Sequence, residues 1–236
     1  MIFCPLCNES NDEFATVCSH CHSFLQNRIP HLDLFDTAWG VLENPHKTFR
    51  TIAFAEHKSY AFSLFAFFGI GLFFALIFFF RSGDRFDSLL QLIILSILSG
   101  SELGGCLAPL ISLLHYRLVK TAYGHGNFKD SLAVSAYSLI PIVLSIIFVL
   151  PIEISAFGMY FFTFNPSPAA INPGLYFILI GINLFCLLWT IVLFVIGTKI
   201  SFGVSYFRAF WGSLTSIVIA GFLCMWGMSA ALNRFF

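Results

Sequence analysis

The chain has 236 residues, of which 58% are hydrophobic, 18% aromatic and only 10% charged. This composition excludes a soluble globular domain and a disordered chain, and seven cysteines spread over such a length exclude a secreted disulfide scaffold. The 12 basic and 12 acidic side chains cancel, so no net charge draws the protein to nucleic acid, and the lipid bilayer is the first expected partner.

Cys4, Cys7, Cys18 and Cys21 form two C-x-x-C pairs separated by ten residues. Each short turn brings two sulfurs to one side, and two such turns supply the four thiolates of a tetrahedral metal site, with structural Zn(2+) as the expected ion. Four thiolates leave no coordination position for water, so the site is expected to fold the module rather than to catalyse. A module of about 25 residues cannot bury an adequate core without such help. His20 and His22 are alternative ligands, set against their reading as exposed knuckle residues.

These residues resemble the zinc ribbons that open many prokaryotic membrane proteins, with Asn8 and His22 at two positions where glycine is common. Both residue types tolerate positive φ better than most.

Leu32, Phe35, Ala38, Trp39 and Leu42 recur at helical spacing beside Asp33, Asp36 and Glu43, which predicts an amphipathic helix. Asn44 and Pro45 supply the N-cap and first position of a second helix through Phe49, Ile52 and Ala53. Both are expected at the membrane boundary, where Trp39 is well suited.

A membrane helix needs about 20 mostly apolar residues to cross roughly 30 Å of hydrocarbon. Five stretches qualify, at 60–80, 89–114, 131–150, 175–196 and 209–232. The second contains Gly100, Gly104, Gly105 and Pro109 and is expected to be one tilted or kinked crossing. Residues 151–174, interrupted by Pro151, Pro166, Pro168 and Pro173, read as an interfacial loop. No cleavable signal-peptide pattern opens the sequence, so the first span is expected to target the chain.

With the N-terminus in the cytoplasm, nine Lys and Arg fall inside and three outside, which predicts an inner-membrane protein with an external C-terminus. A reducing compartment also keeps the four thiols available to metal. The expected fold class is an all-α integral membrane protein, a five-helix transmembrane bundle with a small N-terminal zinc ribbon. Its divisions are the ribbon at 1–26, interfacial helices and linker at 27–58, and the membrane domain at 59–236.

Glu102 falls in the middle of the second span, where an acid is costly unless it faces protein or water. It is therefore the leading candidate for an intramembrane polar site, with Asn183 of the fourth span as its expected partner and Tyr137 as a further member. Gly100 and Gly104 make a small-xxx-small surface for a neighbouring helix. His115 and His125 are expected to be exposed near the cytoplasmic boundary, and Cys106, Cys186 and Cys224 to be packing residues. No nucleophile elbow, paired carboxylates or metalloprotease pair is visible, so no enzymatic activity is expected.

Three short motifs together resemble the Yip-domain membrane proteins, named for interaction with Ypt/Rab GTPases. They are Trp39-Gly-Val-Leu-Glu-Asn-Pro45-His-Lys-Thr-Phe49-Arg, Gly124-His-Gly126-Asn-Phe128-Lys-Asp-Ser131, and Tyr137-Ser-Leu139-Ile-Pro141. The resemblance implies a five-span domain and an adaptor or scaffold role toward a cytoplasmic or membrane protein partner, and is compatible with a homo-oligomer. Rab binding is not carried over, because zinc-ribbon members look prokaryotic. The alternative is a small-solute or ion permease centred on Glu102.

Overall fold

A computed structural model describes residues 1–13, 15–26, 32–58, 60–121 and 124–235, with side chains as far as residue 222. The side chain of Cys224, expected to be a packing residue, lies outside the described set, as do those of Arg28 and Arg234, two of the twelve Lys and Arg counted for topology.

The head contains a two-stranded antiparallel sheet. Strand β1 (Ile2–Phe3) pairs with β2 (Ser10–Asn11), placing Ile2 opposite Asn11 and Phe3 opposite Ser10. An isolated bridge joins Val17 to Phe24.

Helix α1 (Leu34–Glu43) starts at Asp33, whose side chain accepts from Asp36 N at 2.9 Å. Asn44 then ends α1 and caps α2 (Pro45–Phe54), accepting from Lys47 N, with Pro45 at the first turn as expected. Replacing Asn44 with alanine should cost about 1 kcal/mol of stability, measured by thermal unfolding in detergent, because the first turn of α2 loses its acceptor.

The expected apolar face of α1 is rotated. Leu34, Thr37, Ala38, Val41 and Leu42 turn inward, whereas Phe35 and Trp39 stand 84% and 68% exposed. Both faces of α1 carry large apolar residues, and the bundle takes the one at regular three- and four-residue spacing. Phe49 and Ile52 of α2 are completely buried in the same core.

Five long helical segments follow. They are α3 (Ala61–Phe80), α4 (Leu89–Thr121), the pair α5 (Phe128–Ser138) and α6 (Ile140–Phe157), α8 (Pro173–Phe202) and α9 (Tyr206–Phe235), with the short α7 (Pro168–Ile171) preceding α8. Four are long and apolar enough to cross a membrane: Ala61–Phe80, Leu89–Thr121, Phe128–Phe162 and Pro173–Phe202. The fifth expected crossing falls in α9, whose side chains beyond residue 222 are outside the described set.

Helix α4 is one unbroken helix of 33 residues despite Pro109. At 1.5 Å per residue it is about 50 Å long, more than one bilayer core requires. Gly100 and Gly104 meet α3 as the small-residue pattern predicts. A Cβ on Gly104 would come within 2.0 Å of Phe65 O, and one on Gly69 within 2.2 Å of Gly100 O. These two backbones are in direct contact.

The third segment is broken near Pro141 and differs from expectation at Pro151. The break comes at Leu139, so Pro141 lies in the first turn of α6, where its missing N–H costs little. Helix α6 continues through Pro151 to Phe157, followed by a 3-10 turn (Gly158–Phe162) that buries Phe161 and Phe162. The interfacial-loop assignment therefore fails for residues 151–157. Inside apolar surroundings no water competes for the backbone, and Val149, Phe157 and Phe162 share one core with Phe74 and Leu92.

Lys58 ties the helical platform to the bundle. Its Nζ donates to Ala53 O at 3.0 Å and to Ile52 O, at the end of α2, and lies 3.4 Å from Asp130. Asp130 in turn accepts from Asn127 N at the start of α5.

Candidate metal centre and intramembrane polar groups

The two cysteine turns have matching geometry. Asn8 N donates to Cys4 O at 2.9 Å and Cys4 N to Glu9 O at 2.9 Å, while His22 N donates to Cys18 O at 3.1 Å and Cys18 N to Ser23 O at 2.8 Å. Asn8 and His22 adopt φ of 58° and 56°, the conformation expected of residues standing where glycine is common. Asn11 joins the turns: its Nδ2 donates to Glu9 O, and its Oδ1 accepts from Ser19 N at 2.9 Å.

All four sulfurs lie within 4.8 Å of one another, with Cys4 Sγ 3.6 Å from Cys21 Sγ and Cys7 Sγ 3.5 Å from Cys18 Sγ. A tetrahedral ion with metal–sulfur bonds near 2.3 Å separates its ligands by roughly 3.8 Å. The residues fit such an ion, and His20 and His22 stand exposed outside the cluster.

The thiols divide electrostatically. Cys4 is held down to about 6, first by the Ser23 hydroxyl at 3.1 Å and then by the backbone N–H of Cys7. Cys18 is also lowered, first by the backbone N–H of Cys21. Cys7 is pushed up to about 12: the bond from Glu9 N–H favours its thiolate but is outweighed by desolvation and by the neighbouring sulfurs. Four sulfurs this close cannot all carry charge without a cation between them.

The expected intramembrane site does not assemble. Glu102 lies on the exposed face of α4, while Asn183 Nδ2 donates instead to Glu153 Oε1 at 2.7 Å. Ser145 Oγ completes the group by donating to Asn183 Oδ1. Tyr137 is wholly buried in a different cluster with Phe49, Phe65 and Leu193. Sixteen residues separate it from Glu153, which at helical rise is about 24 Å along α5 and α6.

Glu153 was hidden by Pro151, read as the end of a span. A usable signal existed: Glu153 is the last acid of the chain, and Ser145, Val149 and Glu153 repeat every four residues. It is only 3% exposed.

His115 is likewise buried rather than exposed. Its Nδ1 lies 2.8 Å from Ser131 Oγ and its Nε2 3.0 Å from Thr198 Oγ1, while Ser131 Oγ donates to Ser112 O at 2.7 Å. Thr198 Oγ1 likewise donates to Phe194 O at 2.6 Å, so both ring nitrogens face hydroxyls that also reach backbone carbonyls. Thr198 Oγ1 also meets Ser213 Oγ at 3.0 Å, so one imidazole connects α4, α5, α8 and α9. His125 is exposed as expected, its N–H donating to Phe202 O at 3.1 Å. On either side of it, Gly124 and Gly126 lie close under Phe202, and a Cβ on Gly126 would come within 2.6 Å of that ring.

The platform, the Gly124–Phe128 stretch and the α5–α6 break are thus three packed features of one helical body, and the sequence model of the Yip1 domain matches residues 39–228. The chain belongs to the Yip1-domain family. The match begins at Trp39, within α1, so the Yip1 domain includes most of the helical platform as well as the bundle, and the four-cysteine head precedes it. No curated protein and no solved structure matches the chain. The permease reading loses its proposed residue, since Glu102 lies on the exposed face of α4 and lines neither of the two cavities described below.

Proposed function

We propose that the protein is a membrane-embedded adaptor of the Yip1-domain type. The bundle anchors it, structural Zn(2+) on Cys4, Cys7, Cys18 and Cys21 folds the head, and the head with α1–α2 forms the surface for a protein partner. The observation that carries this reading is the apolar surface of so small a module: Phe3, Leu6 and Phe24 are 65%, 79% and 64% exposed. A metal-folded module has little interior to spare, and large apolar side chains left outside it suit a protein interface. Arg50 of α2 pairs with Asp12 of the head at 3.5 Å, an exposed pair that contributes little by itself.

The excess of Lys and Arg in one set of loops supports an inner-membrane topology with the head in the cytoplasm and α9 as the fifth crossing. There the head meets soluble partners and its thiols remain reduced.

The test is affinity purification from native membranes, with mass spectrometry of co-purified proteins, for the wild type, a Cys4→Ser/Cys7→Ser variant and a Leu6→Asp/Phe24→Asp variant that retains zinc. The adaptor reading expects one set of partners to be lost in both variants. Retention of that set by a head shown to be unfolded would overturn the assignment of the surface.

A further inference from the structure

A cavity of about 320 Å³ is walled by α3, α6 and α8, and Glu153, Asn183 and Ser145 provide its polar group. The remaining wall is almost entirely apolar, including Phe68, Gly71, Leu72 and Ile146. Ala75 and Leu187, also in its wall, are exposed on the outer faces of their helices, so the cavity opens sideways toward the surrounding lipid.

The polar group has a direction. Ser145 donates to Asn183, and Asn183 donates to Glu153 Oε1. The run of donors ends on the acid, and Glu153 Oε2 takes no hydrogen bond from the described residues. An oxygen left open in apolar surroundings favours an occupant that brings a donor. No Lys or Arg lines the cavity among the described residues, so a phosphate or a fatty-acid carboxylate would meet an acid without a compensating cation.

A second cavity of about 360 Å³ shares Phe68, Leu72, Ile142 and Leu187 with the first. It is apolar apart from a few hydroxyls, one of which, Thr190 Oγ1, is buried without a partner. Together the two spaces suit a long apolar tail behind a single small polar head.

We infer that the α3–α6–α8 cleft is a binding site for a neutral, hydroxyl-bearing lipid such as a long-chain alcohol or a diacylglycerol. The occupant enters from the bilayer, donates its hydroxyl proton to Glu153 Oε2, and lays its chain along Phe68 and Leu72. The site is independent of the adaptor surface on the head and stands or falls separately from it.

The probes are a diazirine-bearing long-chain primary alcohol, its methyl ether, and the matching carboxylic acid. Each is photolysed with the full-length protein in phosphatidylcholine nanodiscs, and adducts are mapped by mass spectrometry. The alcohol should label α6 and α8 peptides about tenfold more than the ether, the usual effect of one hydrogen bond to a buried or charged acceptor. Glu153→Leu should reduce alcohol labelling to the level of the ether. Ala75→Trp, at the exposed edge of the cleft, should do the same with the triad intact, and the alcohol–ether comparison requires no variant. Equal labelling by alcohol and ether, unchanged labelling in a folded Glu153→Leu protein, or stronger labelling by the acid would each overturn the proposal.

Discussion

Replacing Cys4 and Cys7 with serine should abolish metal binding and unfold the head while leaving the helical bundle intact. The four sulfurs lie within 4.8 Å of one another, and removing Cys4 and Cys7 leaves only Cys18 and Cys21 to hold the ion. Structural zinc sites of this kind contribute about 10 to 16 kcal/mol of apparent binding energy at neutral pH, which in a small module is also its folding energy. The head cannot replace this from its own packing: Phe3, Leu6 and Phe24 are already largely exposed. Metal analysis of the purified protein should show zinc content falling to roughly a tenth of the wild-type value or less. Limited proteolysis should then cut within the head and spare the bundle. A chelator should reproduce the cleavage pattern in the wild type, and zinc should reverse it. Protection unchanged by chelation would show that the cysteines do not fold the module.

The features legible in the sequence were those set by local chemistry. The cysteine spacing, the tolerance of Asn8 and His22 for positive φ, and the Asn44–Pro45 helix start each depend on a few consecutive residues, and the structure places them as expected. The Gly100–Gly104 contact was legible for a related reason, since a backbone approach requires small residues wherever its partner lies.

Buried faces were harder to identify. In water, hydropathy separates the inside of a helix from its outside, but lipid tails are as apolar as leucine, so α3 and α8 show little contrast between their faces. The acid near the middle of a span attracted the assignment, yet Glu102 faces outward while Glu153, seemingly placed in a loop, is enclosed. Pro151 ends a solvated helix far more readily than a membrane one, and α6 continues through it among apolar neighbours. The burial of His115 is equally non-local: its partners Ser131 and Thr198 lie 16 and 83 residues away in sequence, and no local pattern announces them.

Two adjacent glycines in α4 should respond oppositely to the same substitution. Gly104→Ala places a Cβ within 2.0 Å of Phe65 O, 2.8 Å of Phe65 C and 2.9 Å of Ala66 Cα. These are backbone atoms and cannot swing aside, so α3 and α4 must separate along an interface that also contains Gly69 and Gly100. Overpacking of this kind costs about 3 kcal/mol, at the upper end of its usual range because no side chain can yield. At Gly105 an added Cβ meets nothing within 4 Å, and alanine there should raise stability by up to about 1 kcal/mol through helix propensity alone. Unfolding of the purified variants in a detergent–denaturant titration should therefore place Gly104→Ala well below the wild type and Gly105→Ala at or above it. A Gly104→Ala protein as stable as the wild type would rule out the close α3–α4 approach, because no rearrangement short of moving a helix backbone accommodates that methyl group.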